Sequence, residues 1–164
     1  MTQVKSSNLG YPRIGENREW KRTLESFWAN KIDKETFLKE ISNIGLKQLS
    51  QQKEQGIDII PSNNYSLYDQ MLDMSTMLGI VPARFGYKGG PVTSDTYFAM
   101  ARGSKEAVAC EMTKWFNTNY HYIVPELHDV EPELTVNRHL EAYRQAKGEL
   151  GIEKKPVLIG PYTY

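Results

Sequence analysis

Four cations crowd the start of the chain: Arg13, Arg18, Lys21 and Arg22. The last three are spaced i, i+3 and i+4, which places them on one face of a helix. If that helix opens near Asn17, they fall in its first turn or two, where each cation opposes the helix dipole by ~0.3–1 kcal/mol. A helix start with spare N–H groups and surplus positive charge suits an anion. The same residues also describe a solvated helix face with Glu16, Glu19 and Glu25 as local partners. A second candidate is the run Lys114-Trp-Phe-Asn-Thr-Asn-Tyr-His-Tyr122, dense in aromatics and amides. Such residues at strand ends and helix edges line the working face of a barrel. Core tryptophan and phenylalanine with a capping asparagine is the competing reading. A third is Asp58 to Asn64, a strand end followed by a polar loop that reads as a ligand rim or simply a turn.

Metal and nucleophile chemistry find little support. Cys110, His121, His128 and His139 are the only soft ligands. Their spacing fits no zinc pattern, and catalytic zinc takes at least three convergent protein ligands. There is no Gly-x-Ser-x-Gly elbow. Cys110 is expected inside a helix beside Ala109, as a buried structural thiol.

The elements that must position these residues alternate between short apolar runs and amphipathic stretches. Asn8–Tyr11 is a short strand candidate. A helix is expected from Asn17 as N-cap to about Ala29. Asp33 or Lys34 opens a second, with Phe37, Ile41, Ile44 and Leu49 at helical spacing and Gly56 as its stop. Ile57–Ile60 reads as a strand ended by Pro61, with Ser62, Asn63 and Asn64 as its exit loop. Ser66–Leu78 is a third helix, and Gly86–Pro91 a loop. Thr96–Arg102 is a short helix, and Lys105–Asn117 a clearer one. Tyr120–Val124 is a strand, Pro132–Glu149 a helix ending at Gly151, and Pro156–Gly160 a strand. Strand alternating with helix, with strands too apolar for one wet face, predicts a parallel sheet covered by helices. An open doubly wound sheet and a closed (β/α)8 barrel compete. Gly10 and Gly15, spaced Gly-x4-Gly and followed by Glu16-Asn17, match neither a dinucleotide fingerprint nor a phosphate loop. A full barrel takes about 250 residues, so four strands make half of one. The last expected strand arrives four residues before Tyr164 with nothing to cover it, and the chain reads as a fold cut partway.

The 164 residues carry 20 Lys+Arg against 20 Asp+Glu, so the formal net charge is zero. That excludes a strongly basic nucleic-acid binder of the usual kind. One cysteine allows no intrachain disulfide. No run approaches the ~18–20 apolar residues of a membrane span, and the N-terminal stretch lacks the apolar core of a signal peptide. The expectation is a soluble, cytoplasmic protein that engages neither nucleic acid nor membrane.

Six segments stand in an order that carries more than spacing: Leu9-Gly-Tyr-Pro-Arg-Ile-Gly15, Arg18-Glu-Trp-Lys21, Gly56-Ile-Asp-Ile-Ile-Pro61, Tyr68-Asp69, Glu111-Met-Thr-Lys-Trp-Phe-Asn-Thr-Asn-Tyr-His-Tyr122 and Pro156-Val-Leu-Ile-Gly-Pro161. Together they resemble the N-terminal domain of cobalamin-independent methionine synthase, over about Leu9 to Tyr164. The resemblance implies that 1–164 is roughly half of the N-terminal (β/α)8 barrel of a two-barrel cytoplasmic methyltransferase. That enzyme moves a methyl group from 5-methyltetrahydropteroyltri-L-glutamate to L-homocysteine. It further implies a zinc ion in the C-terminal barrel that binds the homocysteine thiol, no cofactor in this segment, and a role here in holding the folate's anionic tail. The family's binding residues carry over to Arg18, Glu19, Trp20 and Lys21, to Lys114, and to Asn119 as a further candidate. The family more often has leucine where Trp20 stands, which puts the middle of that stretch in question. The expected partners are the folate and the C-terminal barrel. A half barrel with open strand edges is also expected to be inactive alone and to self-associate. The reading from another class is a free-standing anion-binding module without catalysis.

Overall fold

The computed structural model describes residues 4–63, 65–153 and 155–164. Asn64, placed above in an exit loop, lies outside them. The chain forms two compact units, Met1–Tyr65 with His139–Val157, and Ser66–Arg138 with Leu158–Tyr164.

In the first unit, α1 (Glu19–Trp28) packs against α2 (Lys34–Glu54). Asp33 caps α2 by accepting the Thr36 N–H at 2.8 Å, which satisfies one of the donors a helix start leaves open. Phe37, Ile41, Gly45, Gln48, Leu49 and Gln52 form its buried face. Phe37 is completely buried and stacks on Phe27, rings 4.5 Å apart; burying a side chain of that size stabilises by about 2–3 kcal/mol. Gly45 lets Tyr65 close on the helix, since a Cβ there would stand 2.8 Å from the tyrosine ring. Gly56 ends the segment at φ 78°. The helix α5 (Arg138–Leu150) contributes Ala146, which joins Leu49, Ile60 and Ile152 in a small core. Gln145 Nε2 donates to Ser42 Oγ at 2.7 Å, tying α5 to α2.

The expected parallel sheet is reduced here to a single parallel bridge, Ser7 to Ile59. Asn8–Tyr11, Ile57–Ile60 and Pro156–Gly160 do not form strands among the described residues. Side chains occupy the places where ladder bonds would run. Asp58 Oδ2 accepts both the Ser6 N–H and its hydroxyl, at 2.8 and 2.9 Å. Asn63 exchanges two bonds with the Val157 backbone, at 2.6 and 2.7 Å. Pro61 and Pro156 have no N–H to give a ladder.

In the second unit, α3 (Gln70–Met77) and α4 (Ser94–Arg102) pack together, with a single 3-10 turn at Ala83–Phe85 between them. Leu72, Thr76 and Tyr97 are fully buried, and the Tyr97 hydroxyl of α4 donates to Asp73 Oδ1 of α3 at 2.6 Å. The one sheet among the described residues is antiparallel: β1 (Met112–Lys114) pairs with β2 (His121–Ile123) in the register Met112–Ile123, Thr113–Tyr122 and Lys114–His121. This corrects two expectations, the parallel sense and the helix over Lys105–Asn117. Gly103 closes α4, and the Ser104 hydroxyl accepts the Glu106 and Ala107 N–H groups to form a turn. Cys110 N–H then reaches Met100 O at 2.8 Å. Buried Ala107 and Cys110 are three residues apart, which imitates a helical stripe, but the turn at Ser104 and the bond from Cys110 to Met100 O hold the segment out of a helix. The expected helix over Pro132–Glu149 begins only at Arg138. Before it, Glu133 and Thr135 donate their N–H groups to Leu78 O and Met77 O, the open carbonyls at the end of α3.

Candidate functional site

The cations of the first unit stand at the mouth of α1. Asn17 is not its cap; Arg18 holds that position in the left-handed region, φ 59° and ψ 30°, with no side-chain cap. Glu19 folds back instead, its carboxylate accepting the Asn17 N–H at 2.9 Å. Bonds to the Glu19 and Asn17 backbones hold that carboxyl below its ordinary pKa, the Glu19 N–H being the larger cause. The fold-back passes directly over Gly15: a Cβ there would lie 2.2 Å from Glu19 Oε2. Arg22 donates to Asn17 O at 2.8 Å. Lys21 is half exposed and pairs with Glu25 across one turn, at 3.5 Å. Arg18 is exposed. Trp20 is not: it is 3% exposed and packs on Tyr65, rings 5.5 Å apart, its indole N–H without a hydrogen-bond partner among the described residues. The stretch from Arg18 to Lys21 therefore presents its cations outward and its tryptophan inward.

In the second unit, Lys114 and Asn119 both lie on the hairpin. Lys114 closes β1, exposed, opposite His121. Asn119 is exposed in the connecting loop, and its carbonyl lies 3.1 Å from His121 Nδ1. The loop is locally braced. Trp115 N–H reaches Tyr120 O at 2.8 Å, and the Thr118 hydroxyl donates to Trp115 O at 2.6 Å. Trp115 packs on Tyr122, rings 4.5 Å apart, while Phe116 takes a positive φ of 48° and stands 91% exposed.

Two groups that spacing did not single out secure this hairpin. Arg84 bonds Glu126 through both terminal nitrogens, each at 2.6 Å, and donates Nε–H to Val108 O at 3.0 Å. The fork raises the arginine pKa and lowers that of Glu126. No local pattern marks this pair, whose members are 42 residues apart. Asp69 is 8% exposed and caps α3 through Oδ1, accepting the Met71 and Leu72 N–H groups at 2.8 and 3.0 Å. Its other oxygen accepts the Ile123 N–H of β2 at 3.2 Å. The helix expected from Ser66 starts only at Gln70, so Asp69, expected inside it, is instead its cap.

Burial pushes the Cys110 thiol up to about 12, with Glu126 adding to the effect. His128 pairs with Asp129 at 2.9 Å in solvent, and burial lowers the His139 pKa. Among the described residues no group of three or more His, Cys, Asp or Glu side chains could hold a metal.

Residues 5–164 match the model of the cobalamin-independent synthase, N-terminal domain. The chain belongs to this family. It is 61% identical to the 5-methyltetrahydropteroyltriglutamate–homocysteine methyltransferase of Halalkalibacterium halodurans, over 97% of this chain and 21% of that protein. It is 58% identical to the protein of the same name from Listeria welshimeri, over 100% and 21%, and 56% to that of Bacillus cereus strain AH187, over 98% and 21%. The chain thus spans about a fifth of the length of these curated relatives. No described helix of this synthase-family chain is long and apolar enough to cross a membrane.

Proposed function

We propose that this segment belongs to a cytoplasmic methyltransferase that moves the methyl group of 5-methyltetrahydropteroyltri-L-glutamate to L-homocysteine, forming L-methionine. In this reading it contributes to holding the triglutamate tail. The observation that carries the reading is the match of nearly the whole chain to relatives named for that folate and that acceptor. The segment is read as about half of an N-terminal (β/α)8 barrel; the parallel bridge from Ser7 to Ile59 and the bond from Ser62 N–H to Lys155 O, 3.3 Å, support that. The zinc and the chemistry of the homocysteine thiol are assigned to the C-terminal barrel, because the donors of this segment do not fit a zinc site. The segment alone is expected to be inactive. Self-association belongs to the same reading, since Val157 and Leu158 at the expected last strand are exposed.

Arg18 and Lys21 are the tail contacts best supported here, as exposed cations at a helix start. Lys114 and Asn119 are assigned on the resemblance and on their exposure. Glu19 acts through the loop it braces, and Trp20 through packing beneath the two cations. Titration of the chain with 5-methyltetrahydropteroyltriglutamate and with the monoglutamate tests this. The triglutamate should bind more tightly, with a margin that shrinks as salt rises. Lys21→Ala should weaken the triglutamate selectively; an equal effect on both ligands defeats the tail assignment.

A further inference from the structure

We propose that Asp69 is a positioning residue for folate-tail binding, its one carboxylate joining the start of α3 to β2 and so setting where Lys114 and Asn119 stand. This rests on the tail reading above. In an antiparallel pair, alternate N–H groups point toward the partner strand and away from it. Val124 N–H bonds Glu111 O of the neighbouring strand segment, so the Ile123 N–H points to the free edge of β2. There it meets Asp69 Oδ2. Ile123 is 2% and Asp69 8% exposed, so water is poorly placed to replace the bond. The same carboxylate accepts two N–H groups of α3 through Oδ1. Only a side chain with two acceptor oxygens serves both partners. The bond spans 54 residues and sits at the root of β2, while the segment leading into β1 is held by Arg84 at Val108, four residues before the strand. Lys114 lies two residues beyond the Met112–Ile123 pair, about 7 Å further along the strand, so a shift at that root is carried to its ammonium group.

Asp69→Asn isolates the effect. Asparagine caps helices as well as aspartate, but with one oxygen toward α3 its NH2 confronts the Ile123 N–H. The probe is 5-methyltetrahydropteroyltriglutamate titrated into the full chain, with amide hydrogen exchange recorded in parallel. Asp69→Asn should weaken triglutamate binding about fivefold to tenfold, since only part of the cost of one lost charge-assisted bond reaches the distant ammonium group. It should speed exchange at Ile123 while leaving Met71 and Leu72 protected. Combined with Lys114→Ala, it should add little to the loss that Lys114→Ala causes alone; a merely structural role would instead add its full effect. Asp69→Thr, which keeps a capping oxygen and offers none to Ile123, is read the same way if the asparagine variant does not fold. If Lys114→Ala weakens binding and neither Asp69 variant does, the positioning role is wrong and the tail reading stands. If Lys114→Ala has no effect, the tail reading at the hairpin fails and this inference falls with it.

Discussion

The two cation-bearing regions are built on opposite plans. The mouth of α1 is assembled from contacts a few residues apart: Glu19 over Gly15 and Asn17, Arg22 on Asn17 O, Lys21 beside Glu25. The hairpin depends on residues 42 and 54 positions away, Arg84 with Glu126 and Asp69 with Ile123. Local contacts form without a loop-closure cost, and distant ones form only once the chain between them is ordered. The first region should therefore tolerate loss of any one side chain, whereas the second should loosen as a unit.

The largest expected break is Arg84→Ala. It removes a forked pair with Glu126 and a bond to Val108 O. Because both side chains are about one-third exposed, the cost should be about 1–2 kcal/mol rather than that of a buried pair. Denaturant unfolding would measure it, and exchange should quicken along Met112–Ile123 but not in α1. An unchanged hairpin would show that the clamp is dispensable.

Gly15→Ala should come next, at about 1 kcal/mol, from a β-carbon forced on a φ of 81°. The added methyl also displaces the Glu19 carboxylate. The effect should stay local, seen as faster exchange at Asn17 with α2 untouched. A loss extending through α2 would contradict the local plan.

Acid offers a graded version of the first test. The Arg84 hydrogen bonds hold the Glu126 carboxyl below its ordinary 4.5. A carboxyl depressed by folding stabilises the fold above its unfolded pKa, and that contribution is lost as pH falls through the folded value. Hairpin amides should thus lose protection as pH drops below 4.5. Glu19 is lowered too, so Asn17 should respond in the same range, but without detaching a distant segment. Glu126→Gln should flatten the hairpin response and leave that of Asn17 in place.

Lys21→Ala should have the smallest effect on stability, under ~0.5 kcal/mol for an exposed i, i+4 pair. Paired with a selective loss of triglutamate affinity, that result separates a binding cation from a structural one. A melting shift as large as that of Gly15→Ala would place Lys21 in the architecture instead.

Sequence alone determined the elements that rest on neighbours. Asp33 and Gly56 bound α2 as expected, Phe37 and Ile41 face its core, and α1 ends at Trp28, one residue before the expected Ala29. The family was legible as well, because its motifs are strings of residues in order. What it could not decide were choices made by distant partners. The non-helical course of 105–111 follows from bonds to Met100 O and Arg84, although its apolar spacing looks helical. The antiparallel hairpin in place of a parallel sheet, and the inward turn of Trp20 onto Tyr65, were settled the same way. A side chain's spacing records which face it shares with its neighbours; which partner it meets there depends on where the rest of the chain has folded, and only the tertiary structure holds that.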